Sequence, residues 1–366
     1  FPNLLSYFPY LNQISIKQSS AEAGKSIENF WEMEGLVDIG IVGNFIQCIT
    51  GNFDSRFFNS LEGNEYTLVK SSVNKKKIKS EYLYYHLLPD DMKFWYVMPF
   101  HYQENETTAS YTMERLHMTD LAIKWVHGSV DLIEFDELMD KYFYFFQCRH
   151  KRNVTREEYA KIAKTLYVDK VENRIDELKK LKEYKKIEKL MEAGCEGQII
   201  DTLVKKYFQL KEQIERKNCY PQESVIGHGD SCFANTLYNK STKTLKLIDP
   251  KGALTEEELW TNPYYDIAKL SHSVCGRYDF FNNGLFEIKV NEQFKCELSI
   301  DFDHLEYQKI FRKKVEENGY DYWTVRLYEV SLFLSMLPLH IDYPLKVFGF
   351  ILNVKNILEE IEKNVS

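Results

Sequence analysis

The chain has 366 residues, of which 44% are hydrophobic and 28% charged, a composition typical of a globular protein with a sizeable core. Its formal net charge of −8 argues against a general nucleic-acid-binding surface, which would normally be basic. The seven cysteines are scattered without CxxC spacing, so we expect no zinc site, no disulfide framework, and a reducing, cytoplasmic compartment. The longest apolar runs are too short to cross a bilayer, which predicts no membrane span.

The N-terminal third has the pattern of a small antiparallel sheet with one helix. Residues 1–35 are expected to form an irregular or helical lead-in. Five strand-like stretches rich in β-branched and aromatic residues lie at 44–49, 57–61, 66–70, 94–98 and 110–114. Residues 76–88 have helical character, and that helix should end before Pro89.

Helical patterns dominate the rest of the chain. Residues 171–191 predict one surface helix with a single buried stripe and a stop at Gly194, and residues 199–216 continue in the same way. The turn at residues 239–242 lies between two short apolar runs and predicts a hairpin. From Tyr264 to the C-terminus, the pattern indicates mainly helices.

Between the helical segments lies a group of polar residues suited to phosphoryl transfer. Asp230 is on a loop entered through Gly227 and Gly229, which allow the backbone to approach a substrate closely. Asn235 offers a neutral oxygen ligand, and Asp249 places a carboxylate at the end of an apolar strand. Asn235 and Asp249 could hold Mg²⁺ between nucleotide phosphates, while Asp230 accepts a substrate proton. The alternative is an Asx-rich hairpin in which these residues only close turns.

The order of these residues resembles a known signature. Residues 228–235 read HGDSCFAN and residues 247–249 read LID. They are similar to the HxDxxxxN and hydrophobic-hydrophobic-Asp motifs of the aminoglycoside phosphotransferase and choline kinase superfamily. The resemblance implies an α+β, protein-kinase-like fold with two lobes. A small antiparallel-sheet lobe, residues 1–116, would bind the nucleotide, and a larger helical lobe, residues 117–366, would carry the catalytic loop, residues 226–252.

The same resemblance implies a role for each motif residue. Asp230 would be the catalytic base, and His228 would orient the catalytic loop. Asn235 and Asp249 would be the ligands of Mg²⁺. Residues 265–268, YDIA, resemble the Asp-Leu-Ala element of the family, so Asp266 would brace the loop as a structural support.

On the nucleotide side, Lys70 at a strand end matches the phosphate-contacting lysine of the family. Glu81, on the helix that follows, is the best partner to orient it. A solvated strand end is the alternative for Lys70, and Lys75, Lys76 and Lys77 lie close enough for the assignment to shift.

Two further nucleotide contacts are expected at less distinctive positions. Residues 111–116 resemble the family's hinge, where the backbone of Glu114 and Leu116 would bind the adenine edge. No glycine-rich GxGxxG loop is present. In its place, the turn at residues 51–56 would cover the phosphates, with Ser55 and Arg56 supplying side-chain contacts.

A closer resemblance covers most of the chain. It is carried by four segments, at residues 55–61, 271–274, 278–280 and 331–340. They look like kinase modules from bacterial capsule and surface-polysaccharide loci, which are often fused to a nucleotidyltransferase or phosphatase domain, and the start without Met would suit such a fragment. The resemblance implies transfer from ATP, with GTP as the other candidate, to a sugar, polyol or amino alcohol.

The acceptor pocket is expected between the catalytic loop and the C-terminal helices, lined by His272, Tyr278 and Asp279. Two other functions stay open. One is a choline- or ethanolamine-type kinase, and the other is a pseudokinase-like binding module without turnover. A metal-dependent hydrolase is a weaker reading, because one His beside one Asp makes no complete metal site.

Overall fold

The computed structural model describes residues 59–194, 199–217, 222–292 and 295–365. The lead-in at 1–35, the expected strand at 44–49, and Ser55 and Arg56 lie outside the described residues. No helix among the described residues is long and apolar enough to cross a membrane.

A four-stranded antiparallel sheet with one packed helix forms the N-terminal lobe. The strands are β1 (Asn59–Gly63), β2 (Thr67–Ser72), β3 (Pro99–Glu104) and β4 (Ala109–Glu114), in the spatial order β1-β2-β4-β3. The helix α1 (Lys75–Leu87) begins where the Asn74 side chain accepts a hydrogen bond from the Lys77 N–H, and it ends before Pro89, as expected. Ile78 of α1 is fully buried among sheet residues that include Tyr111, which fixes the helix on the sheet.

The prediction of a strand at 94–98 is wrong. A short helix, α2 (Asp90–Lys93), precedes this segment, and β3 begins only at Pro99. Tyr96 instead forms an isolated parallel bridge with Leu247. Trp95 and Tyr96 are buried in the core cluster that includes residues of the C-terminal lobe, whereas Phe94 and Met98 are exposed, so the segment packs on that lobe through two aromatic side chains.

The C-terminal lobe is mainly helical. Its helices are α3 (Leu121–Val126), α4 (Leu132–Cys148), α5 (Arg156–Lys164), α6 (Lys170–Lys180), α7 (Tyr184–Gly194), α8 (Ile199–Lys217), α9 (Tyr265–Val274), α10 (Tyr278–Asn282), α11 (Leu305–Glu317), α12 (Tyr322–Met336) and α13 (Pro344–Val365). A π-helical turn at Thr165–Asp169 joins α5 to α6. Helix α12 is buried along nearly its whole length, which places it at the centre of the lobe.

Short strands lie between these helices. They are β5 (Thr119–Asp120), β6 (Lys151–Asn153), β7 (Glu223–Ile226), β8 (Thr236–Asn239), β9 (Thr244–Leu247), β10 (Trp260–Thr261), β11 (Glu287–Val290) and β12 (Cys296–Ser299). Strands β8 and β9 form the hairpin expected around residues 239–242. The β11–β12 hairpin was not expected from the sequence.

The prediction of a single helix over 171–191 is wrong, because the chain forms two helices, α6 and α7, with a break between them. Leu181 adopts an extended conformation, and its N–H donates to the Leu178 carbonyl. The apolar stripe has a six-residue gap between Leu181 and Ile187, which one straight helix would place on different faces. The predicted α+β fold, with a small antiparallel-sheet lobe and a larger helical lobe, is confirmed.

Helix α4 provides a matched test of the core. Leu138 is completely buried, whereas Leu132 on the same helix is 41% exposed. We expect Leu138→Ala to lower the free energy of unfolding by about 2–5 kcal/mol, because it leaves a cavity in a packed core. Leu132→Ala should change it by less than about 1 kcal/mol. Urea unfolding measures both, and equal effects would contradict this packing.

Candidate active site

The expected catalytic loop follows β7 and depends on two glycines. Gly229 has φ of +80°, a conformation that other residues adopt only with strain. At Gly227, an added Cβ would lie 2.4 Å from Thr261 Cγ2 and 2.9 Å from Asp266 Oδ2. Glycine is therefore needed at both positions for the loop to approach the start of α9.

The Asp266 side chain accepts hydrogen bonds from two backbone N–H groups of the loop. It is fully buried at the start of α9. Its Oδ2 accepts a hydrogen bond from the His228 N–H at 3.0 Å, and its Oδ1 accepts one from the Gly229 N–H at 2.7 Å. The buried guanidinium of Arg149 donates to Oδ2 at 3.1 Å and balances the charge.

The sequence analysis did not identify Arg149 as a residue that supports the loop. It belongs to a short basic run at residues 149–152, and such runs normally lie in solvent. Instead, its side chain is inaccessible to solvent, and its Nε donates to the Phe146 carbonyl. The only signal was its position directly after the apolar residues of α4.

His228 joins the loop to the end of β9. The Asp230 N–H donates to His228 Nδ1 at 3.1 Å, so the ring proton is on Nε2, which donates to the Ile248 carbonyl at 2.9 Å. Burial lowers the pKa of His228, and its ring stacks on Tyr96 at 5.8 Å. A neutral imidazole bonded on both sides is suited to orienting the loop.

The Asp230 carboxylate lies at the surface of the loop, with its side chain 40% exposed. Asn235 Nδ2 donates to Asp230 Oδ2 at 2.9 Å, and Lys269 Nζ is 2.7 Å from Oδ1. Burial would raise the pKa of Asp230, but the charge of Lys269 outweighs it and lowers that pKa to about 2. The group is therefore ionised at neutral pH. Lys269 was not singled out in the sequence.

The Asp249 carboxylate faces the N-terminal lobe. Asp249 follows β9 and has φ of +54°, which turns its side chain away from the strand direction. Lys70 Nζ is 2.8 Å from Asp249 Oδ1 and 2.8 Å from Glu81 Oε2. Lys70 and Glu81 are both buried, and although burial opposes it, Asp249 and Glu81 raise the pKa of Lys70.

Asn235 brings the two carboxylates together. The Ile248 N–H donates to the Asn235 carbonyl at 3.0 Å, so the residue before Asp249 lies against the catalytic loop. The Asn235 side-chain nitrogen is used by Asp230, which leaves its amide oxygen as the ligand atom. One amide oxygen and one carboxylate that is 41% exposed fit Mg²⁺, which binds few protein ligands and completes its shell with phosphates and water.

Within the described ranges, no three His, Cys, Asp or Glu side chains come together as a metal site.

The expected hinge residues lie at the end of β4. Glu114 is the last residue of that strand and is in register with Thr67 of β2. The Arg115 N–H between the two donates to the Tyr66 carbonyl at 2.9 Å, and the Leu116 carbonyl accepts from Met118 at 2.8 Å. Adenine binding by Glu114 and Leu116 stays a prediction.

The three expected acceptor residues lie together but are buried. His272 stacks on Tyr278 with ring centroids 4.4 Å apart, and His272 and Asp279 are each 1% exposed. Burial raises the pKa of Asp279 to about 7, although Ser273 lowers it through a hydrogen bond. His272 is one helical turn beyond Lys269 on α9, which places this group beneath the catalytic loop. Their contact with an acceptor stays a prediction.

No protein-family model and no curated protein matches the chain. Among solved structures, a Plasmodium vivax ethanolamine kinase is similar at 12% identity and a TM-score of 0.46, over 99% of this chain and 89% of that one. An apo thermostable mutant of aminoglycoside phosphotransferase APH(4)-Ia is similar at 10% identity and a TM-score of 0.42, over 82% and 94% of the two chains. A further variant of that phosphotransferase, in ternary complex with AMP-PNP and hygromycin B, has 12% identity and a TM-score of 0.44, over 83% and 93%. These overall likenesses are weak, and the site geometry above is independent of them.

The Arg149–Asp266 pair offers a test of how the loop is held. Arg149→Met leaves the Asp266 carboxylate buried without its counter-charge, so we expect a loss of about 3–5 kcal/mol in the free energy of unfolding. The double variant Arg149→Met, Asp266→Asn should recover part of that loss, because the uncompensated charge is gone. Denaturant unfolding of the two single variants and the double variant measures this coupling. Additive effects would mean that the pair does not act as a unit.

Proposed function

We propose that this protein is a small-molecule kinase, which transfers the γ-phosphate of ATP to a hydroxyl group of its acceptor. The observation that supports this most directly is the pairing of two partly exposed carboxylates with two different lysines. Asp249 is paired with Lys70 of the sheet lobe, and Asp230 with Lys269 of the helical lobe. Phosphoryl transfer requires such a division, with charge neutralisation on the nucleotide side and a hydroxyl-binding group on the acceptor side.

Each residue has a defined task in this proposal. Lys70, held by Glu81, contacts the nucleotide phosphates. Asn235 and Asp249 hold Mg²⁺, which would neutralise the phosphate charge when bound. Asp230 accepts a hydrogen bond from the acceptor hydroxyl, fixes the direction of its oxygen, and receives its proton as the reaction proceeds.

The acceptor class follows from the sequence resemblance. We propose a sugar, polyol or amino alcohol destined for capsule or other surface glycan, handled in the cytoplasm, with GTP as the second candidate donor. Fusion to a nucleotidyltransferase or another biosynthetic domain belongs to the same proposal. His272, Tyr278 and Asp279 are the proposed acceptor-side residues, and Glu114, Leu116, Ser55 and Arg56 the proposed nucleotide contacts.

Acceptor-dependent ADP release tests the role of Asp230. The panel contains sugars, polyols, choline, ethanolamine and nucleosides with Mg·ATP, and Asp301→Asn, an exposed site, is the matched control. We expect Asp230→Asn to lower kcat by ~10²–10⁴-fold while barely changing nucleotide affinity, because Asp230 acts on the acceptor. Signal with choline or ethanolamine alone would favour that type of kinase. Near-normal kcat in Asp230→Asn would remove Asp230 from the reaction.

The metal role of Asp249 has a separate test that needs no acceptor. We expect Mg²⁺ to strengthen ATP binding to the wild type, and Asp249→Ala to abolish that gain, because a carboxylate ligand is lost. Isothermal titration with and without Mg²⁺ measures it. Retained Mg²⁺ dependence in Asp249→Ala would refute the assignment, and Mg²⁺-dependent binding without turnover on any acceptor would favour the pseudokinase-like module.

A further inference from the structure

Lys269 lies against the proposed catalytic carboxylate. It is on α9, three residues after Asp266, and its Nζ is 2.7 Å from Asp230 Oδ1. Its side chain is only 14% exposed. Since Asn235 holds the other carboxylate oxygen, Asp230 is fixed at both oxygens by side chains from two different elements.

The loop does not need Lys269 for its conformation. Asp266 already holds the loop through the N–H groups of His228 and Gly229. Asp230 is exposed enough for water to solvate its carboxylate. The Lys269 ammonium is largely buried, and the free energy of solvation that it loses is only offset by the ion pair. The fold therefore gives no reason for a lysine at this position, whereas the chemistry of the site does.

Lys269 and Asn235 together fix the direction of the Asp230 carboxylate. A carboxylate held at both oxygens can bind and orient a hydroxyl group. Phosphoryl transfer depends mainly on such positioning and on stabilisation of phosphoryl charge.

The position of the Lys269 ammonium suits the stabilisation of phosphoryl charge. An acceptor hydroxyl bound to Oδ1 of Asp230 would lie about 2.7 Å from that oxygen, so the Lys269 ammonium would lie no more than about 5.4 Å from the attacking oxygen. The phosphoryl group passes through the same space with its charge on the equatorial oxygens. Lys70 is held on the nucleotide side by Glu81 and Asp249, so it serves the other end of the reaction.

We propose that Lys269 is a catalytic residue of the acceptor side, whose ammonium holds Asp230 and neutralises the phosphoryl group during transfer. This rests on the kinase function proposed above. The acceptor oxygen bonds to the γ-phosphorus while the bond from that phosphorus to the β–γ bridging oxygen breaks, and the electron pair leaves with ADP. The hydroxyl proton leaves through Asp230 to solvent, and Lys269 stays protonated throughout.

Lys269→Met and Lys269→Arg test this against the control Lys170→Met. Lys170 is another partly buried lysine that contacts α9, through the Tyr265 hydroxyl at 2.9 Å. We expect Lys269→Met to lower kcat by ~10²–10³-fold, with unchanged Mg·ADP affinity and melting temperature. Lys269→Arg should recover part of the activity, because it restores the charge.

Three outcomes would overturn the proposal. Activity of Lys269→Met at the level of the Lys170→Met control, with the wild type active, would refute the role of Lys269 alone. Loss of Mg·ADP binding together with a lowered melting temperature in both Lys269 variants would show that the residue supports the fold instead. A wild type that transfers phosphate to no acceptor would overturn both this role and the kinase function.

Discussion

The buried Asp266 carboxylate is the contact on which the rest of the site depends. It accepts hydrogen bonds from two successive N–H groups of the loop and faces the Arg149 guanidinium in the protein interior. Because hydrogen bonds to an ionised group are stronger than neutral ones, one side chain can fix the loop backbone. Once the loop is fixed, His228 and Asn235 connect it to the end of β9, and the positions of Asp230 and Asp249 follow.

The two exposed carboxylates occupy different electrostatic surroundings, although only a few contacts separate them. Asp249 shares Lys70 with Glu81, so one buried ammonium faces two acidic groups. Lys269 pairs with one oxygen of Asp230, and the neutral amide of Asn235 donates to the other oxygen. A divalent cation would find favourable charge at Asp249, whereas a hydroxyl group would find a fixed acceptor at Asp230. In the proposed function, this asymmetry makes Asp249 the nucleotide side of the site and Asp230 the acceptor side.

Local sequence patterns predicted those parts of the fold whose cause is local. The helix that ends before Pro89 and the β8–β9 hairpin depend on proline geometry and turn residues, and both are present. The segment at 94–98 was mistaken for a strand, because its buried residues, Trp95 and Tyr96, pack in the core with the helical lobe rather than in a sheet. Arg149 and Lys269 could not be found from spacing. Arg149 pairs with Asp266 and Lys269 pairs with Asp230, and in each pair the two residues are far apart along the chain. A long-range ion pair leaves no periodic trace in a sequence.

The most direct measurement of the central claim is a ³¹P NMR spectrum of the protein with Mg·ATP and a mixture of candidate acceptors. It follows the fate of the phosphorus itself. The arrangement of Lys70, Asp249, Asp230 and Lys269 predicts that the γ-phosphate signal is replaced by a phosphate-ester signal, with ADP formed in equal amount. An unchanged ATP spectrum, or conversion to inorganic phosphate without any ester, would contradict the assignment of this site to phosphoryl transfer.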